Sequence, residues 1–253
     1  MSPPLTRRTV AKLTGIAAAG VSALLGWLFE GYRLDGDVEG EDDRQTTPRA
    51  DLPPPKTAPG TKGVAEAIAD RRSRREYADD PISAAELGQL LWAAQGHTKR
   101  NIGGSNFRAA PSAGATFPLE VFVVIGQPGV SGIESGIYRY RPGDHELDRR
   151  AAGDFQAELQ DSAVDQAWVG EAALDIVVTA IDERTTERYG ERGRRRYVPM
   201  EAGHVGQNIY LQAESLGLST VAIGAFSDGD LRELLGVSED YRPLYVFPVG
   251  RRA

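Results

Sequence analysis

The sequence predicts an α+β domain or a three-layer α/β/α domain, in which helices of different lengths cover a mostly buried sheet. Two uninterrupted apolar runs, at residues 119–125 and 174–181, have the length and composition of buried strands. Residues 200–216 carry apolar side chains at helical spacing, which predicts a long helix. The chain contains no internal repeat, so a solenoid is not expected.

Local signals predict the remaining elements in chain order. Ser83 to Glu86 has the pattern of a capping box, so a helix is expected to begin there and to end near Gly96. Gly217 is expected to end the long helix. The other predicted elements are a helix at 64–72, a hairpin of 136–140 with 146–148, two short helices between 154 and 171, strands at 219–226 and 244–249, and a helix at 230–235.

The composition is that of an ordinary globular protein and excludes several classes. Of 253 residues, 41% are hydrophobic and 26% are charged, so the chain is neither collagen-like nor wholly disordered. The absence of cysteine excludes disulfides, a thiol nucleophile and cysteine-ligated metal sites. The net charge of −7 disfavours binding to nucleic acid. Arginine accounts for 25 of the 29 basic residues, so an arginine cluster is the natural place for an anion site.

The first 60 residues are predicted to lie outside the folded domain. Arg7-Arg8 precedes the stretch from Leu13 to Phe29, 17 residues without a charge, which resembles a twin-arginine translocation signal. Residues 1–30 are therefore assigned to such a signal or to an uncleaved membrane anchor, and the protein is expected to be exported and extracytoplasmic. Residues 31–60 are acidic and then proline-rich, as in a linker. The folded domain is expected over 61–253.

Four short segments carry residues suited to a ligand. Arg71 to Arg75 is the densest cation cluster, and arginine forks beside a serine hydroxyl match a phosphate; a solvated helix end is the alternative. Ala110 to Pro118 is small and turn-forming, so its backbone can approach a flat ligand. Ile223 to Phe226 ends a strand with small residues and can present N–H groups to a cleft, or is a plain turn. Arg251 and Arg252 are either a second phosphate arm or disordered.

Ser112 also allows a hydrolytic interpretation, which its context argues against. Ala110-x-Ser112-x-Gly114 resembles a nucleophile elbow, with His204 or His145 as the base. An elbow needs a strand before the serine and a helix after it, whereas here a polar loop precedes Ser112 and a strand follows. The histidines lack metal-ligand spacing, so no metal site is expected.

Several stretches of the predicted domain follow one another as an ordered set of motifs. They are Arg71-Arg72-Ser73-x-Arg75-x-Tyr77, Leu87-x-x-Leu90-Leu91-Trp92-Ala93-Ala94-Gln95-Gly96, Arg108-x-x-Pro111-Ser112-Ala113-Gly114-Ala115-x-x-Pro118-Leu119-Glu120, Glu201-Ala202-Gly203-His204-x-x-Gln207-Asn208, Leu216-Gly217-Leu218, Ile223-Gly224-Ala225-Phe226 and Leu234-Leu235-Gly236. Taken together and in this order, these motifs resemble the nitroreductase family of flavoproteins, and within it the SagB-type, azoline-dehydrogenase-like branch. The resemblance covers nearly all of 61–253.

The resemblance implies an α+β nitroreductase-like fold, a three-layer α/β/α arrangement with a mainly antiparallel central sheet. It also implies an intertwined homodimer with FMN at the subunit interface, and the flavin would supply the redox chemistry without cysteine or metal. The residues that it assigns are Arg71, Arg72, Ser73, Arg75 and Arg251 to the phosphate and ribityl chain, Pro111, Ser112, Ala113 and Gly114 to the ring, and the backbone N–H groups of Gly224 and Ala225 to the flavin N5/O4 edge.

The function implied is an FMN-dependent oxidoreductase that transfers hydride between flavin N5 and a small organic substrate. A non-catalytic flavin-binding module and a serine hydrolase using Ser112 are the alternatives. Azoline dehydrogenases are expected to carry a Lys-Tyr pair ahead of the long helix, where the corresponding stretch of this chain is Arg194-Arg195-Arg196-Tyr197. Tyr197 could serve as an acid or a base, but arginine cannot act as a base at ordinary pH. The run from Arg192 to Arg196 either binds an anionic substrate or is a solvated face balanced by nearby glutamates.

Overall fold

The computed structural model describes residues 48–56, 62–100 and 106–253. The predicted signal or anchor and most of the predicted linker lie outside these ranges. Within them, no helix is both long enough and apolar enough to cross a membrane.

The described chain contains both strands and helices, and several strands follow one another without a helix between them. The strands are β1 (Arg49–Asp51), β2 (Tyr77–Ala78), β3 (Ile82–Ser83), β4 (His97–Arg100), β5 (Asn106–Arg108), β6 (Leu119–Ile125), β7 (Val130–Ser131), β8 (Gly136–Arg141), β9 (Glu146–Ala152), β10 (Leu174–Ile181), β11 (Leu218–Thr220) and β12 (Tyr241–Arg252). The helices are α1 (Val64–Asp70), α2 (Ala84–Gln95), α3 (Gln156–Ser162), α4 (Ala167–Gly170), α5 (Glu183–Tyr189), α6 (Val198–Leu216) and α7 (Asp228–Leu235).

An eight-stranded sheet forms the middle layer, in the order β1-β9-β8-β6-β10-β12-β11, with β2 beside β12. Every pairing in it is antiparallel. All seven residues of β6 are buried, and so are the first seven of β10. Such runs arise where both faces of a sheet are covered, which explains why these strands are apolar throughout rather than alternating. The predicted, mainly antiparallel sheet is confirmed.

Helices cover both faces of the sheet, which confirms the three-layer α/β/α prediction. On one face, the apolar sides of α2 and α6 pack against Val123, Ile176 and Phe247. On the other face, α3, α4 and α7 pack against Val124 and Val177. Neighbouring strand residues such as Ile176 and Val177 belong to different clusters because successive side chains point to opposite faces.

The predicted capping box at the start of α2 is present. The Glu86 backbone N–H donates to Ser83 Oγ at 3.3 Å, and the Ser83 backbone N–H donates to Glu86 Oε2 at 2.9 Å. These two bonds satisfy N–H groups that have no partner within the helix. The helix ends at Gln95, beside the predicted Gly96.

The predicted strand at 219–226 is shorter in the structure. Strand β11 ends at Thr220, because the Ala222 N–H donates to the Tyr210 hydroxyl at 2.8 Å rather than to a neighbouring strand. Beyond it, Ile223 alone bridges to Val246. Strand β12 is longer than predicted, since it pairs with β10, β11 and β2 in turn.

Part of the predicted linker packs on the domain. Strand β1 pairs with β9, where Ala50 lies opposite Leu147. The following Leu52 is only 8% exposed, and the Pro53 carbonyl lies 3.1 Å from His145 Nε2. The proline-rich composition does not reveal this strand, because its pairing uses backbone groups that every sequence provides.

Helix α5 and the π-helical turn Gly193–Tyr197 have no counterpart in the sequence prediction. The segment is dominated by charged side chains, so the apolar periodicity that identifies a helix is absent. The π-helical turn continues directly into α6, which therefore begins at Val198, two residues before the predicted start.

Candidate functional site

The segment from Arg71 to Arg75, here called the arginine loop, runs along the end of the sheet. The Arg74 N–H donates to the Thr220 carbonyl at 2.9 Å, which fixes the loop beside β11. Just beyond the loop, Tyr77 pairs with Arg252 of β12, and its ring lies over Gly250. A Cβ on Gly250 would lie 2.5 Å from Tyr77 Cδ1, so only glycine leaves room for the ring.

Tyr210 of α6 joins the arginine loop to the segment after β11. Its hydroxyl lies 2.8 Å from Ser73 Oγ and accepts the Ala222 N–H at 2.8 Å. The Arg71 guanidinium lies over the Tyr210 ring, 5.1 Å from the centroid. Tyr210 is not among the predicted site residues, because its role depends on two segments that meet only in the fold.

Helix α4 and the residue before it connect the far end of the arginine loop to the Gly224 region. The Arg75 guanidinium lies 5.2 Å from the ring centroid of Trp168. Gln166 Nε2 donates to the Ala225 carbonyl at 3.1 Å. Gly224 and Ala225 are both exposed. The structure therefore brings the arginine loop and the Gly224–Ala225 backbone to one side of the domain.

The guanidinium groups of Arg71 and Arg75 are available to an anion. Each rests on an aromatic ring, and neither forms an ion pair with a carboxylate of the described residues. A ring holds the flat face of a guanidinium and leaves its N–H edge open. Arg72 differs, because its Nη1 donates to the carbonyls of Ala69 and Arg71. The charge, the open N–H edges and the Ser73 hydroxyl fit a phosphate.

Arg251 is engaged elsewhere in this structure. Its guanidinium donates to both carboxylate oxygens of Glu86, at 2.7 and 2.9 Å, and to the Pro81 carbonyl at 3.1 Å. Burial acts to raise the pKa of Glu86, but the hydrogen bonds from Arg251 and Ser83 outweigh it and hold that pKa below its usual value. Glu86 thus caps α2 and fixes the end of β12 at once.

The predicted ring-lining residues, Pro111 to Gly114, form a second loop between β5 and β6. Gly114 has φ of +63°. The Arg188 guanidinium donates to its carbonyl at 3.1 Å, and a Cβ there would lie 2.5 Å from the Tyr189 hydroxyl. The positive φ favours glycine at this position, and a Cβ would in addition displace the side-chain ends of Arg188 and Tyr189 from α5.

Ser112 does not form the pair that a serine hydrolase needs. Its Oγ accepts the Phe117 N–H at 2.9 Å. His145 is hydrogen-bonded between the Tyr140 hydroxyl and the Pro53 carbonyl. His204 is exposed on α6 and forms no hydrogen bond to Ser112. Neither histidine suggested as the base is therefore in place.

A buried polar cluster lies behind this loop. Glu201, in the first turn of α6, is 2% exposed. Its burial raises its pKa to about 7, against the opposing influence of the Ser112 hydroxyl, the Arg108 charge and the Gln95 amide. Glu201 Oε1 has no hydrogen-bond partner, and neither has Gln95 Nε2, whereas Gln95 Oε1 accepts from Arg108 at 3.0 Å.

The sequence contains one signal that could have identified Glu201 as a buried carboxyl. This glutamate directly precedes Ala202, which belongs to the apolar stripe of the predicted long helix. Glu201 belongs to one of the motifs that resemble the family, but no role is predicted for it there. Across residues 48–56, 62–100 and 106–253, no group of three histidine, cysteine or carboxylate side chains could hold a metal ion.

The arginine-rich segment ahead of α6 is largely occupied by contacts within the protein. Arg194 and Arg242 pair with Asp182, at 3.3 and 2.6 Å. Arg192 Nε donates to the Tyr197 hydroxyl at 2.9 Å, and Tyr197 stacks edge-on against Tyr189. These contacts agree better with a balanced surface than with a site dedicated to an anion.

The comparisons with known proteins agree with this architecture. The family model described as "Nitroreductase family" matches residues 68–251. A nitroreductase-type protein of Methanocaldococcus jannaschii, MJ1384, is 43% identical over 187 residues, which cover 74% of this chain and 90% of that protein. The microcin B17-processing protein McbC of Escherichia coli is 27% identical over 139 residues, or 54% of this chain and 51% of McbC.

A solved structure supports the same assignment. The nitroreductase-type protein from Ralstonia eutropha JMP134 superposes with a TM-score of 0.69 at 30% identity, over 81% of this chain and 90% of that one. The match to the family model spans both the arginine loop and the Pro111–Gly114 loop. The chain therefore belongs to the nitroreductase family of oxidoreductases.

Proposed function

We propose that this protein is an FMN-dependent oxidoreductase that transfers hydride between the flavin N5 atom and a small organic substrate. The observation that carries the proposal is the state of Arg71 and Arg75. Both cations are held on aromatic rings without a carboxylate partner in the described chain, next to exposed backbone at Gly224 and Ala225. Two arginines that lack a carboxylate partner and lie beside a serine hydroxyl are better suited to bind a phosphate than to remain in contact with solvent alone.

The residues of the arginine loop would hold the FMN phosphate and ribityl chain. Arg71 and Arg75 would donate from their open edges, and the Ser73 hydroxyl, positioned by Tyr210, would add a further hydrogen bond. Arg72 and Arg251 are assigned to the FMN phosphate and ribityl chain by the resemblance alone. Because Arg251 is bound by Glu86, it could reach a phosphate only by giving up that ion pair.

The second loop and the Gly224 backbone would orient the flat end of the cofactor. Bound FMN would supply two-electron chemistry that no side chain of this protein provides. The small residues from Pro111 to Gly114 would pack against a planar ring and keep water away from it. The exposed N–H groups of Gly224 and Ala225 would donate to the polar edge of the ring, which favours negative charge there.

The substrate belongs to a broader class than azolines. McbC is named as a processing protein of microcin B17, and the likeness to it supports a place near the SagB-type branch. In place of the Lys-Tyr pair expected of that branch, this chain has the stretch Arg194-Arg195-Arg196-Tyr197, and Arg192 donates to the Tyr197 hydroxyl. We therefore propose as substrate a small organic molecule that exchanges hydride with the flavin, and we do not narrow it to an azoline.

A homodimer is part of the proposal. Ser112 lies near Glu201 of α6, and Ser73 lies beside Tyr210 of the same helix. Glu201 and Tyr210 are nine residues apart, which is about 13.5 Å along a helix that rises 1.5 Å per residue. A dimer in which the two loops of different subunits face one another would bring both to one FMN.

The first test is the visible spectrum of the purified protein. Bound FMN absorbs at about 450 nm, which is a property of the cofactor itself. Replacing Arg71 and Arg75 together by alanine removes two charge-assisted contacts of about 1.5–3 kcal/mol each, so FMN affinity should fall at least about 100-fold. Fluorescence titration of the apoprotein with FMN measures that loss.

The control is a second double variant, Arg150→Ala with Arg195→Ala, which removes two exposed cations from other elements. It should leave FMN affinity within about twofold of the parent. Equal loss in both double variants would mean that net charge rather than a phosphate site governs binding. FMN that stays bound but exchanges hydride with no donor or acceptor would favour the non-catalytic module.

Export is a separate proposal, supported by Arg7-Arg8 and the uncharged stretch after it. Replacing both arginines by lysine should leave the protein in the cytoplasmic fraction of a host that has a twin-arginine pathway. Immunoblots of cell fractions measure this. Unchanged fractionation of the variant would argue against that route.

A further inference from the structure

The turn that follows the predicted ring-lining residues, at positions 114–117, has a strained backbone. Gly114, Ala115 and Phe117 have φ of +63°, +56° and +44°. Glycine adopts this left-handed region readily, but the same region costs free energy for alanine and is rarer still for a bulky residue such as phenylalanine. Strain of this kind persists only where the surrounding structure holds it, and it is concentrated at functional sites. The turn therefore needs a support from outside itself.

Helix α5 holds the two ends of this turn. The Arg188 guanidinium donates to the Gly114 carbonyl at 3.1 Å, and the Arg184 guanidinium donates to the Phe117 carbonyl at 3.2 Å. Residues four apart are neighbours on a helix surface, so one face of α5 contacts both ends of the turn. Each bond fixes the carbonyl of a residue whose φ is positive, and so opposes the relaxation of that residue.

A pair of hydroxyl groups holds the middle of the turn. Thr185 of α5 is 1% exposed, and its Oγ1 lies 2.8 Å from Oγ1 of Thr116. Thr116 donates its own proton to the Ala113 carbonyl at 3.1 Å, so the proton between the two hydroxyls comes from Thr185. The neighbouring Thr186 differs, because its hydroxyl donates to the Glu183 carbonyl of its own helix at 3.4 Å. Two adjacent threonines of α5 thus have different partners, and Thr185 is the one that contacts the turn.

Helix α5 is itself anchored to the central sheet by two ion pairs. Arg184 pairs with Glu120 of β6 at 2.7 Å, and the side chain of Glu120 is only 10% exposed. Asp182, directly before α5, accepts two hydrogen bonds from Arg242 of β12, at 2.7 and 2.6 Å. Ion pairs that are partly buried are screened less by salt and water than those on an open surface. Helix α5 is therefore a fixed support for the turn.

We propose that α5 holds the 114–117 turn in its strained conformation and thereby keeps the Pro111–Gly114 loop in the shape that lies against the flat end of the cofactor. Thr185 and Arg188 are the positioning residues. The inference rests on the proposed flavin function, in which that loop packs against the ring, and adds a support that the sequence did not predict. The arginine loop has its contacts with β11, Tyr210 and Trp168 instead, so relaxation of the turn should disturb the ring rather than the phosphate.

The first measurement is the opening of the turn in the purified full-length protein. Amide hydrogen exchange is followed by mass spectrometry on peptides that cover residues 110–120. Thr185→Val keeps the shape of the side chain but removes a hydrogen bond, so exchange in these peptides should become about 2- to 10-fold faster. Thr185→Ser keeps the hydroxyl and should recover most of the protection. Thr186→Val is the matched control and should exchange like the parent.

A further variant tests the strain itself. Ala115→Gly removes the penalty for a positive φ at that position. If strain drives the opening, the double variant Thr185→Val/Ala115→Gly should exchange more slowly than Thr185→Val alone. If the turn is not strained, glycine adds only conformational freedom, and the double variant should exchange faster. The second result would contradict the proposal.

The second measurement follows the cofactor. The visible circular dichroism of bound FMN reports how asymmetrically the protein surrounds the flavin ring. Thr185→Val and Arg188→Met should both change this spectrum in the FMN-loaded protein, and both should lose less FMN affinity than Arg71→Ala/Arg75→Ala. Arg195→Met removes an exposed cation that pairs with Glu191 on the surface, and it should leave the spectrum unchanged.

The outcomes separate this inference from the proposed function. A protein that binds no FMN overturns the proposed function, and hydrogen exchange in the turn still decides whether α5 supports it. Exchange over 110–120 that is equal in the parent and in Thr185→Val, or that rises equally in Thr186→Val, overturns the support. Faster exchange in Thr185→Val with an unchanged flavin spectrum overturns the effect on the ring while FMN binding stands.

Discussion

At the scale of single residues, the partner of each arginine decides what that arginine can do. Arg242 and Arg251 are fixed by two-point contacts with Asp182 and Glu86 and stabilise the ends of β12. Arg71 and Arg75 are fixed by rings instead and keep their hydrogen-bonding edges. Identical side chains in one sequence therefore separate into structural ion pairs and candidate ligand contacts only when their neighbours are known.

The carboxyl groups of α6 show the same dependence on partners, and they predict opposite effects of pH. Glu201 has a raised pKa of about 7, so it binds a proton more tightly in the folded than in the unfolded protein. Its contribution makes the folded state lose stability as pH rises from about 4.5 to 7. Glu201→Gln should therefore match the parent near pH 4.5 and exceed its free energy of unfolding by on the order of 3 kcal/mol at pH 8.

Glu214 is the matched control, thirteen residues further along α6 on its C-terminal turn. Burial acts to raise its pKa, but hydrogen bonds from Lys62 and Arg252, both at 2.9 Å, lower it overall. Its stabilising contribution is present at neutral pH and is lost as pH falls through that lowered pKa, so Glu214→Gln should destabilise the protein at pH 8. Urea unfolding at pH 5 and pH 8 measures both variants; a loss of stability at pH 8 in Glu201→Gln would contradict the raised pKa.

At the scale of elements, the end of β12 positions the arginine loop. Tyr77 lies over Gly250, and the Arg74 N–H bonds to β11, so the two strands together set where the loop runs. Gly250→Ala would place a methyl group 2.5 Å from the Tyr77 ring, which must then move and carry β2 with it. We expect this variant to lose about 1–3 kcal/mol of stability and to bind FMN more weakly.

Gly224→Ala is the companion substitution for that prediction. A Cβ at position 224 meets no atom within 4 Å, so the apoprotein should keep its stability to within about 0.5 kcal/mol. If the Gly224 backbone faces the cofactor, the added methyl group should still weaken FMN binding. Thermal unfolding of the apoprotein and FMN titration separate the two effects. Normal FMN affinity in Gly224→Ala would mean that the flavin ring does not lie against the Gly224 backbone.

At the scale of the whole molecule, we expect a homodimer that shares its flavin sites. Light scattering after size exclusion should give about twice the 27.3 kDa chain mass. If each site takes the arginine loop from one subunit and the Pro111–Gly114 loop from the other, mixing Arg71→Ala/Arg75→Ala with a Gly114→Val variant should restore one intact site per mixed dimer. Flavin occupancy that stays at the sum of the two parents would show that each site lies within one chain.

Local patterns in the sequence were sufficient for most of the fold. The buried strands β6 and β10, the capping box of α2 and the glycine that ends α6 depend on side chains within a few residues of one another, and all were found as predicted. The ordered motifs were also sufficient for the family, whose model matches residues 68–251. Strand β1 and helix α5 lacked such a local signal and were missed.

What the sequence determined by itself was the layered α+β architecture, the family, and the segments from which a flavin site would be built. Only the tertiary structure decided which groups in those segments have partners. It gave Arg251 to Glu86, placed Tyr210 between Ser73 and Ala222, and buried Glu201 without a hydrogen bond to Oε1. The physical reason is that charge, hydrogen bonding and burial depend on residues far apart in the chain, and periodicity and spacing carry no record of those distances.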